Sequence, residues 1–165
     1  MIKKILITLC LIATSSSSFA DNYKLQSLEI DDLYIRATAT GAKVSGGFMT
    51  IKNEGSQPDK LLSVTDVSFA NTVEIQETIM EKDVTKMRSL SQGLEIPARS
   101  KVYLKPGSYH IMFTDLKEPI IYDKKYRATL NFEQSGSITV EFEGERAKGQ
   151  YKEKHEDHHK EKYKY

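Results

Sequence analysis

Cysteine is almost absent from this chain. The only one, Cys10, lies in an N-terminal segment that we expect to be removed, so the mature chain forms no disulfide and carries no cysteine nucleophile or cysteine zinc site. The residue before Cys10 is Leu9, whereas lipoprotein processing needs a small residue at that position, so no lipid anchor is predicted. A site for a soft metal ion would have to be built from methionine and histidine.

An excess of charge of one sign is also lacking. Beyond residue 20 the chain carries 22 basic and 23 acidic residues, so nothing indicates an electrostatic surface for nucleic acid. The sequence contains neither a serine nucleophile elbow nor a glycine-rich phosphate loop. These absences argue against an enzyme and favour a binding or carrier protein.

No apolar run is long enough to span a bilayer. The longest, Ile5 to Ala13, follows Lys3 and Lys4 and precedes a small-residue segment ending in Ser18-Phe19-Ala20. This order is typical of a secretory signal peptide, and the run is too short for a transmembrane helix. We predict a signal peptide over residues 1–20, cleavage after Ala20, and a periplasmic protein.

Helical periodicity is missing as well. From Leu25 to about Gly144 apolar and polar residues alternate with a period of two, interrupted by turn sequences that include Asp31-Asp32, Glu81-Lys82-Asp83 and Lys105-Pro106-Gly107-Ser108. Leu94 to Pro97 is predicted to be a short edge strand, because proline is poorly tolerated in a central strand. The pattern predicts one antiparallel β-sandwich domain over residues 21–144.

One predicted strand carries chemistry. In Tyr109 to Phe113 the alternation places Tyr109, Ile111 and Phe113 on one apolar face and His110 with Met112 on the other. An imidazole and a thioether on one face suit Cu(I). The alternative is that His110 and Met112 share a strand face by coincidence and bind no metal.

After Gly144 the composition changes abruptly. Residues 145–165 are mostly charged, with almost no apolar side chains, and cannot bury enough surface to offset the entropy lost on ordering. We predict a disordered tail in which His155, His158 and His159 are able to bind Cu(II) or Zn(II). A merely solvated polar tail is the alternative.

The folded part resembles the periplasmic copper chaperones of the PCu(A)C type, whose members are cupredoxin-like Greek-key β-sandwiches that pass Cu(I) to cytochrome oxidase assembly. The resemblance covers roughly Ile35 to Glu143. The segments that carry it are Arg36-Ala37-Thr38, Gly46 to Asn53, Val73-Glu74-Ile75, Met87-Arg88, Gly93 to Pro97 and, most specifically, Leu104 to Met112.

The resemblance implies a set of Cu(I) ligands. Met87, His110 and Met112 fall on three of the family's four ligand positions, while Gln76 replaces the first histidine. Because an amide is a poor Cu(I) ligand, Met80, on the same predicted strand face as Gln76, is a candidate substitute. Met87 packed in the core and Met80 as a packing or surface residue are the alternatives, and Met49 is expected to be structural.

These observations favour a monomeric copper carrier. It would hold Cu(I) on the Met/His site and deliver it to a cuproprotein acceptor, such as a cytochrome oxidase subunit or its assembly factor, with no membrane anchor. Gln76 favours a different class, an exported interaction module that has lost copper transfer. A third hypothesis is a metal buffer that works chiefly through the tail.

Overall fold

The computed structural model of the protein describes residues 22–146, and every regular element in that range is a β-strand. The all-β prediction is therefore confirmed, and the described residues contain no helix that could span a membrane. The strands are β1 (Tyr23–Leu25), β2 (Leu28–Arg36), β3 (Val44–Asn53), β4 (Asp59–Thr65), β5 (Ala70–Glu81), β6 (Val84–Ser89), β7 (Leu94–Ile96), β8 (Ser100–Leu104), β9 (Tyr109–Leu116), β10 (Lys125–Phe132) and β11 (Gly136–Glu145).

The strands form one hydrogen-bonded sheet with non-sequential order. Its order is β6-β5-β9-β8-β3-β2-β11-β10-β4-β7, with β1 added to β2 and a direct pairing of β9 with β3. The predicted edge strand, β7, lies at one end of this order, and the β5–β6 hairpin forms the other end. Side chains from β2, β3, β9, β10 and β11 share one buried core.

Two short parallel pairings interrupt the antiparallel pattern that the sequence predicted. β11 pairs parallel with β2, and Leu104 of β8 pairs parallel with Tyr109 of β9. The second case has a simple cause. β8 pairs antiparallel with the half of β3 that begins at Met49, and β9 pairs antiparallel with the half from Val44 to Gly47. Two strands antiparallel to the same partner are parallel to each other, so the sheet is mixed.

Aromatic rings dominate the centre of the core. The ring centroids of Phe69 and Phe113 lie 5.0 Å apart, those of Phe69 and Tyr126 5.0 Å apart, and those of Phe113 and Phe142 6.2 Å apart. Gly47 of β3 makes room for this cluster, because a Cβ on Gly47 would lie 2.6 Å from a carbon of the Phe113 ring. Phe113 and Ile111 are buried, as the alternation in β9 predicted, and their packing fixes which face of β9 turns away from the core.

The predicted turn at Asp31-Asp32 is wrong. β2 runs without interruption from Leu28 to Arg36, and the register shift between Asp31 and Tyr34 is a β-bulge with Asp32 at a φ of 55°. A bulge restores the alternation after one extra residue, and its sequence signature is the same as that of a turn. The turn between β5 and β6 is confirmed, with Lys82 and Asp83 both at positive φ, as in the two-residue turns favoured by twisted hairpins.

The C-terminal strand extends slightly beyond the predicted domain boundary. β11 ends at Glu145, which pairs with Arg36, and the guanidinium of Arg146 lies 4.7 Å from the centre of the Tyr122 ring. The predicted signal peptide, residues 1–20, and the three tail histidines lie outside the described residues.

Candidate metal-binding face

The register of three strands places the predicted ligands on one sheet face. Gln76 lies directly opposite His110 in the β5–β9 pair, and Glu74 lies opposite Met112. In the β5–β6 pair, Met87 lies opposite Thr78, two residues from Gln76. Directly opposed residues of antiparallel strands point to the same face, so His110, Met112 and Met87 all lie on the face that turns away from Phe113.

His110 is held as a metal-binding histidine would be. Its side chain is 5% exposed, and its Nδ1 lies 3.1 Å from the carbonyl oxygen of Ser108. That carbonyl can only accept, so Nδ1 carries a proton, and in the neutral imidazole Nε2 then presents a lone pair. Nε2 is buried and has no hydrogen-bond partner among the described residues. A backbone bond that fixes the tautomer and leaves the other nitrogen free is the usual support of a histidine ligand.

Gln76 faces His110 with a second unpaired atom. Its Nε2 donates to a carboxylate oxygen of Glu74 over 2.7 Å. Its Oε1 is buried and, within the described part of the chain, accepts no hydrogen bond. Buried polar atoms are nearly always paired in folded proteins, so two unpaired atoms on opposed residues make this point of the sheet the candidate binding position.

Met112 and Met87 stand in different relations to His110. Met112 is two residues along the same strand and half-buried, about 7 Å away by strand geometry, so its thioether and the imidazole can converge on one ion. Met87 is one strand further out, so its Cα lies about 10 Å from that of His110 across the sheet, with an offset along the strand. Its thioether would therefore have to extend across β5 to reach an ion bound by His110.

Both hairpin methionines are at the surface. Met87 is 59% exposed, which excludes the alternative that it packs in the core. Met80 is 71% exposed, and the hydroxyl of Thr85 lies 3.9 Å from its sulfur. Met80 is thus a surface residue at the outer end of the face, further from His110 than Met87. Met49 is buried in the core, as expected.

Phe48 was missed by the sequence analysis. It lies on the same face as His110, with ring centroids 6.5 Å apart, and stacks on Tyr34 at 4.9 Å. Gly46, opposite Met112, makes this possible, because a Cβ there would lie 2.9 Å from the Phe48 ring. The feature of the sequence that could have identified Phe48 is an aromatic residue on the polar face of β3, two residues after a glycine. Phe48 shields one side of His110 from water.

The donor set favours a soft ion. No group of three or more histidine, cysteine, aspartate or glutamate side chains is placed to hold a metal within residues 22–146. Besides the imidazole of His110, this face carries the thioethers of Met112 and Met87, and one imidazole with thioethers is a combination that suits Cu(I). Gln76 adjoins the His110–Met112 pair, Met87 lies one strand further out and Met80 lies at the outer end of the face. The tail histidines lie outside the described residues.

Sequence comparison places the chain in a family. The family model described as "Putative lipoprotein LpqE-like" matches residues 28–143, more than half of the chain. A relative from Leifsonia xyli subsp. xyli (strain CTCB07), named "Putative lipoprotein Lxx21020", is 26% identical over 134 residues, which are 81% of this chain and 79% of the relative.

Structural comparison identifies the same fold in solved copper-related domains. The apo PCuAC domain from PmoF1 superposes with a TM-score of 0.65 at 23% identity, covering 77% of this chain and all of that domain. The copper-bound PCuAC domain from PmoF2 gives a TM-score of 0.64 at 20% identity, covering 77% of this chain and 99% of that domain. The resemblance inferred from the sequence is thus confirmed at the level of the fold. The chain belongs to the LpqE-like family and has the cupredoxin-like fold of the PCuAC domains.

Proposed function

We propose that the protein is an exported, non-catalytic copper carrier that binds one Cu(I) ion as cargo on the face formed by β5, β6 and β9. His110 supplies Nε2, Met112 supplies a thioether from the next position on that face, and Met87 supplies a second thioether from β6. One observation carries the proposal: His110 is buried, its Nδ1 is hydrogen-bonded to the carbonyl oxygen of Ser108, and its Nε2 has no partner within residues 22–146.

The geometry suits transfer better than storage. His110 is buried beside the Phe48 ring, whereas Met87 is exposed on the outermost strand. A ligand that is open to solvent can be replaced by a ligand of an acceptor, so the ion can leave by stepwise exchange. The acceptor we propose is a cuproprotein such as a cytochrome oxidase subunit or its assembly factor. The copper-bound state of the PmoF2 domain, which has the same fold, supports copper as the cargo.

Export is part of the proposal. The family and the relative from Leifsonia xyli are both described as lipoproteins, which supports passage across the membrane. In this chain the residue before Cys10 is Leu9, so we propose cleavage after Ala20 and release into the periplasm in place of lipidation. The tail histidines His155, His158 and His159 would then bind Cu(II) or Zn(II) weakly, because carboxylates and imidazoles suit those ions.

The decisive experiment is an anaerobic Cu(I) titration in competition with a chromophoric chelator. The exported protein is compared with a variant in which His155, His158 and His159 are replaced by alanine. We expect the tail variant to retain one Cu(I) per chain. In a separate titration with Cu(II), without reductant, the intact protein should bind more Cu(II) than the tail variant. A tail variant that takes up no Cu(I) would contradict the carrier proposal. It would favour the interaction module suggested by Gln76 if the intact protein also stays metal-free, and the tail-based buffer if only the intact protein binds metal.

A further inference from the structure

We propose that His110 Nε2, the Gln76 side-chain oxygen and the Glu74 carboxylate form a nitrogen and oxygen site for a divalent cation of borderline hardness, Zn(II) or Cu(II). This site shares His110 with the Cu(I) site and to that extent rests on the proposed function. Gln76 and Glu74 would then give this part of the face a preference for a divalent cation.

The two unpaired atoms are the first support. Gln76 and His110 are directly opposed across β5 and β9, where the Cβ atoms of antiparallel neighbours lie about 4.5–5.5 Å apart. His110 is only 5% exposed. Its Nε2 and the Oε1 of Gln76 are both buried and have no hydrogen-bond partner within residues 22–146. Each atom offers a lone pair, so neither can satisfy the other. A cation between them would satisfy both.

The hydrogen bond between Gln76 and Glu74 is the second support. Gln76 Nε2 donates to Glu74 over 2.7 Å, and because an amide group is planar this bond fixes the position of Oε1. Glu74 lies two residues from Gln76 on the same face, opposite Met112, and is exposed. It brings a negative charge beside the two neutral donors. Negative charge near an imidazole favours a divalent over a monovalent cation.

The donors on this face thus separate by hardness. Oxygen and imidazole donors surround Gln76, and thioethers lie to either side at Met112 and Met87. Zn(II) and Cu(II) accept imidazole with carboxylate and amide oxygens, whereas Cu(I) prefers thioether sulfur. Since both sites need His110, a divalent ion and Cu(I) should exclude each other.

The test uses Zn(II), which has no redox chemistry, and Cu(I) as separate probes of the exported protein with the three tail histidines replaced by alanine. Glu74→Gln and Gln76→Leu should each weaken Zn(II) binding at least tenfold, and Glu74→Gln should leave Cu(I) affinity within about twofold. Met112→Leu should do the reverse. Glu95→Gln, on β7 at the other end of the sheet, is the control and should change neither affinity. Circular dichroism of each variant verifies the fold.

The outcomes separate this inference from the carrier proposal. Cu(I) binding that depends on Met112, together with no Zn(II) binding or Zn(II) binding unaffected by Glu74→Gln, overturns the divalent site alone. If the protein binds no Cu(I) but Zn(II) binding is still weakened by Glu74→Gln, the carrier proposal alone is overturned. Simultaneous binding of one Zn(II) and one Cu(I) would show that the two sites do not share His110 and would overturn the inference in its present form.

Discussion

Gln76 and His110 are directly opposed on neighbouring strands, and each carries a buried atom with no hydrogen-bond partner in the described structure. Leaving a buried donor or acceptor unpaired costs about 1–3 kcal/mol. Phe48 and Ile111 are buried beside this pair, and the pairing of β5 with β9 holds both residues in place. The Gln76 Oε1 and His110 Nε2 are therefore two preorganised donor atoms for a metal ion.

The first prediction concerns His110 and Met112, the two proposed ligands on β9. Met112→Leu and His110→Ala should each weaken Cu(I) binding by at least tenfold, about 1.4 kcal/mol, because each removes a donor that the sheet already positions. The measurement is anaerobic competition with a Cu(I) chelator. Met49→Leu is the matched control, because Met49 is a buried core methionine and a volume-conserving change should leave copper affinity intact. Equal affinity for Met112→Leu and Met49→Leu would count against the site.

The second prediction concerns Gln76. Gln76→His should strengthen Cu(I) binding by at least about tenfold, because an imidazole opposite His110 replaces an amide that binds Cu(I) poorly. The same titration measures the change, and X-ray absorption should show a second nitrogen donor. An unchanged affinity would mean that the β5–β9 register does not bring residue 76 to the ion.

The third prediction separates the hairpin methionines. Met87→Leu should weaken Cu(I) binding more than Met80→Leu. Met87 lies opposite Thr78, whereas Met80 is two residues beyond Thr78 along β5 and therefore further from His110. Both side chains are exposed, so neither change should shift the urea unfolding midpoint appreciably. Copper affinity and unfolding are measured on the same preparations. A larger loss for Met80 would place the third thioether at the outer end of the hairpin.

The fourth prediction concerns Asp59, which ties β4 to the turn before β11. Its carboxylate accepts from the backbone amides of Lys60 at 2.7 Å, Gln134 at 2.9 Å and Ser135 at 3.1 Å. Asp59→Asn replaces one acceptor oxygen by a donor and should reduce the free energy of unfolding by about 2 kcal/mol. Urea unfolding at pH 7 measures the loss. Asp66→Asn, an exposed aspartate in the loop before β5, is the control.

The direction of the Asp59 pKa shift determines how the loss of stability in Asp59→Asn depends on pH. Burial alone would raise the pKa of Asp59, but the hydrogen bonds from Ser135, Gln134 and Lys60 lower it below its ordinary value. A lowered pKa in the folded state gives stability that is complete above the unfolded pKa of about 3.9 and is lost as the pH falls through the folded value. The difference between wild type and Asp59→Asn should therefore be constant from pH 7 to about pH 5 and shrink below about pH 4. A difference that grows on acidification would contradict this account.

The fifth prediction concerns processing. Intact-mass spectrometry of protein recovered from the periplasm should give a chain that begins at Asp21 and carries no acyl groups, because Leu9 does not fit lipoprotein processing at Cys10. Ala20→Arg should block this cleavage and lead to accumulation of the precursor. A mature chain that begins at an acylated Cys10 would show that the protein is anchored.

The sequence by itself determined the class of fold and the strand face on which His110 and Met112 lie. Alternation with a period of two is a local property, so it predicts strands and assigns Ile111 and Phe113 to the core and His110 to the other face without knowledge of any neighbour. Turn residues such as Pro106 and Gly107 act locally too, and Gly107 has the positive φ that such a turn requires.

Only the tertiary structure decided which residues meet. The pairing of Gln76 with His110 joins positions 34 residues apart in the chain, and nothing in either strand alone specifies that register. The same holds for Phe48 over Gly46 beside His110, and for the three amides that converge on Asp59. Register and side-chain convergence depend on how distant segments pack against a common core, because a shift of two residues preserves every local pattern while it changes every partner.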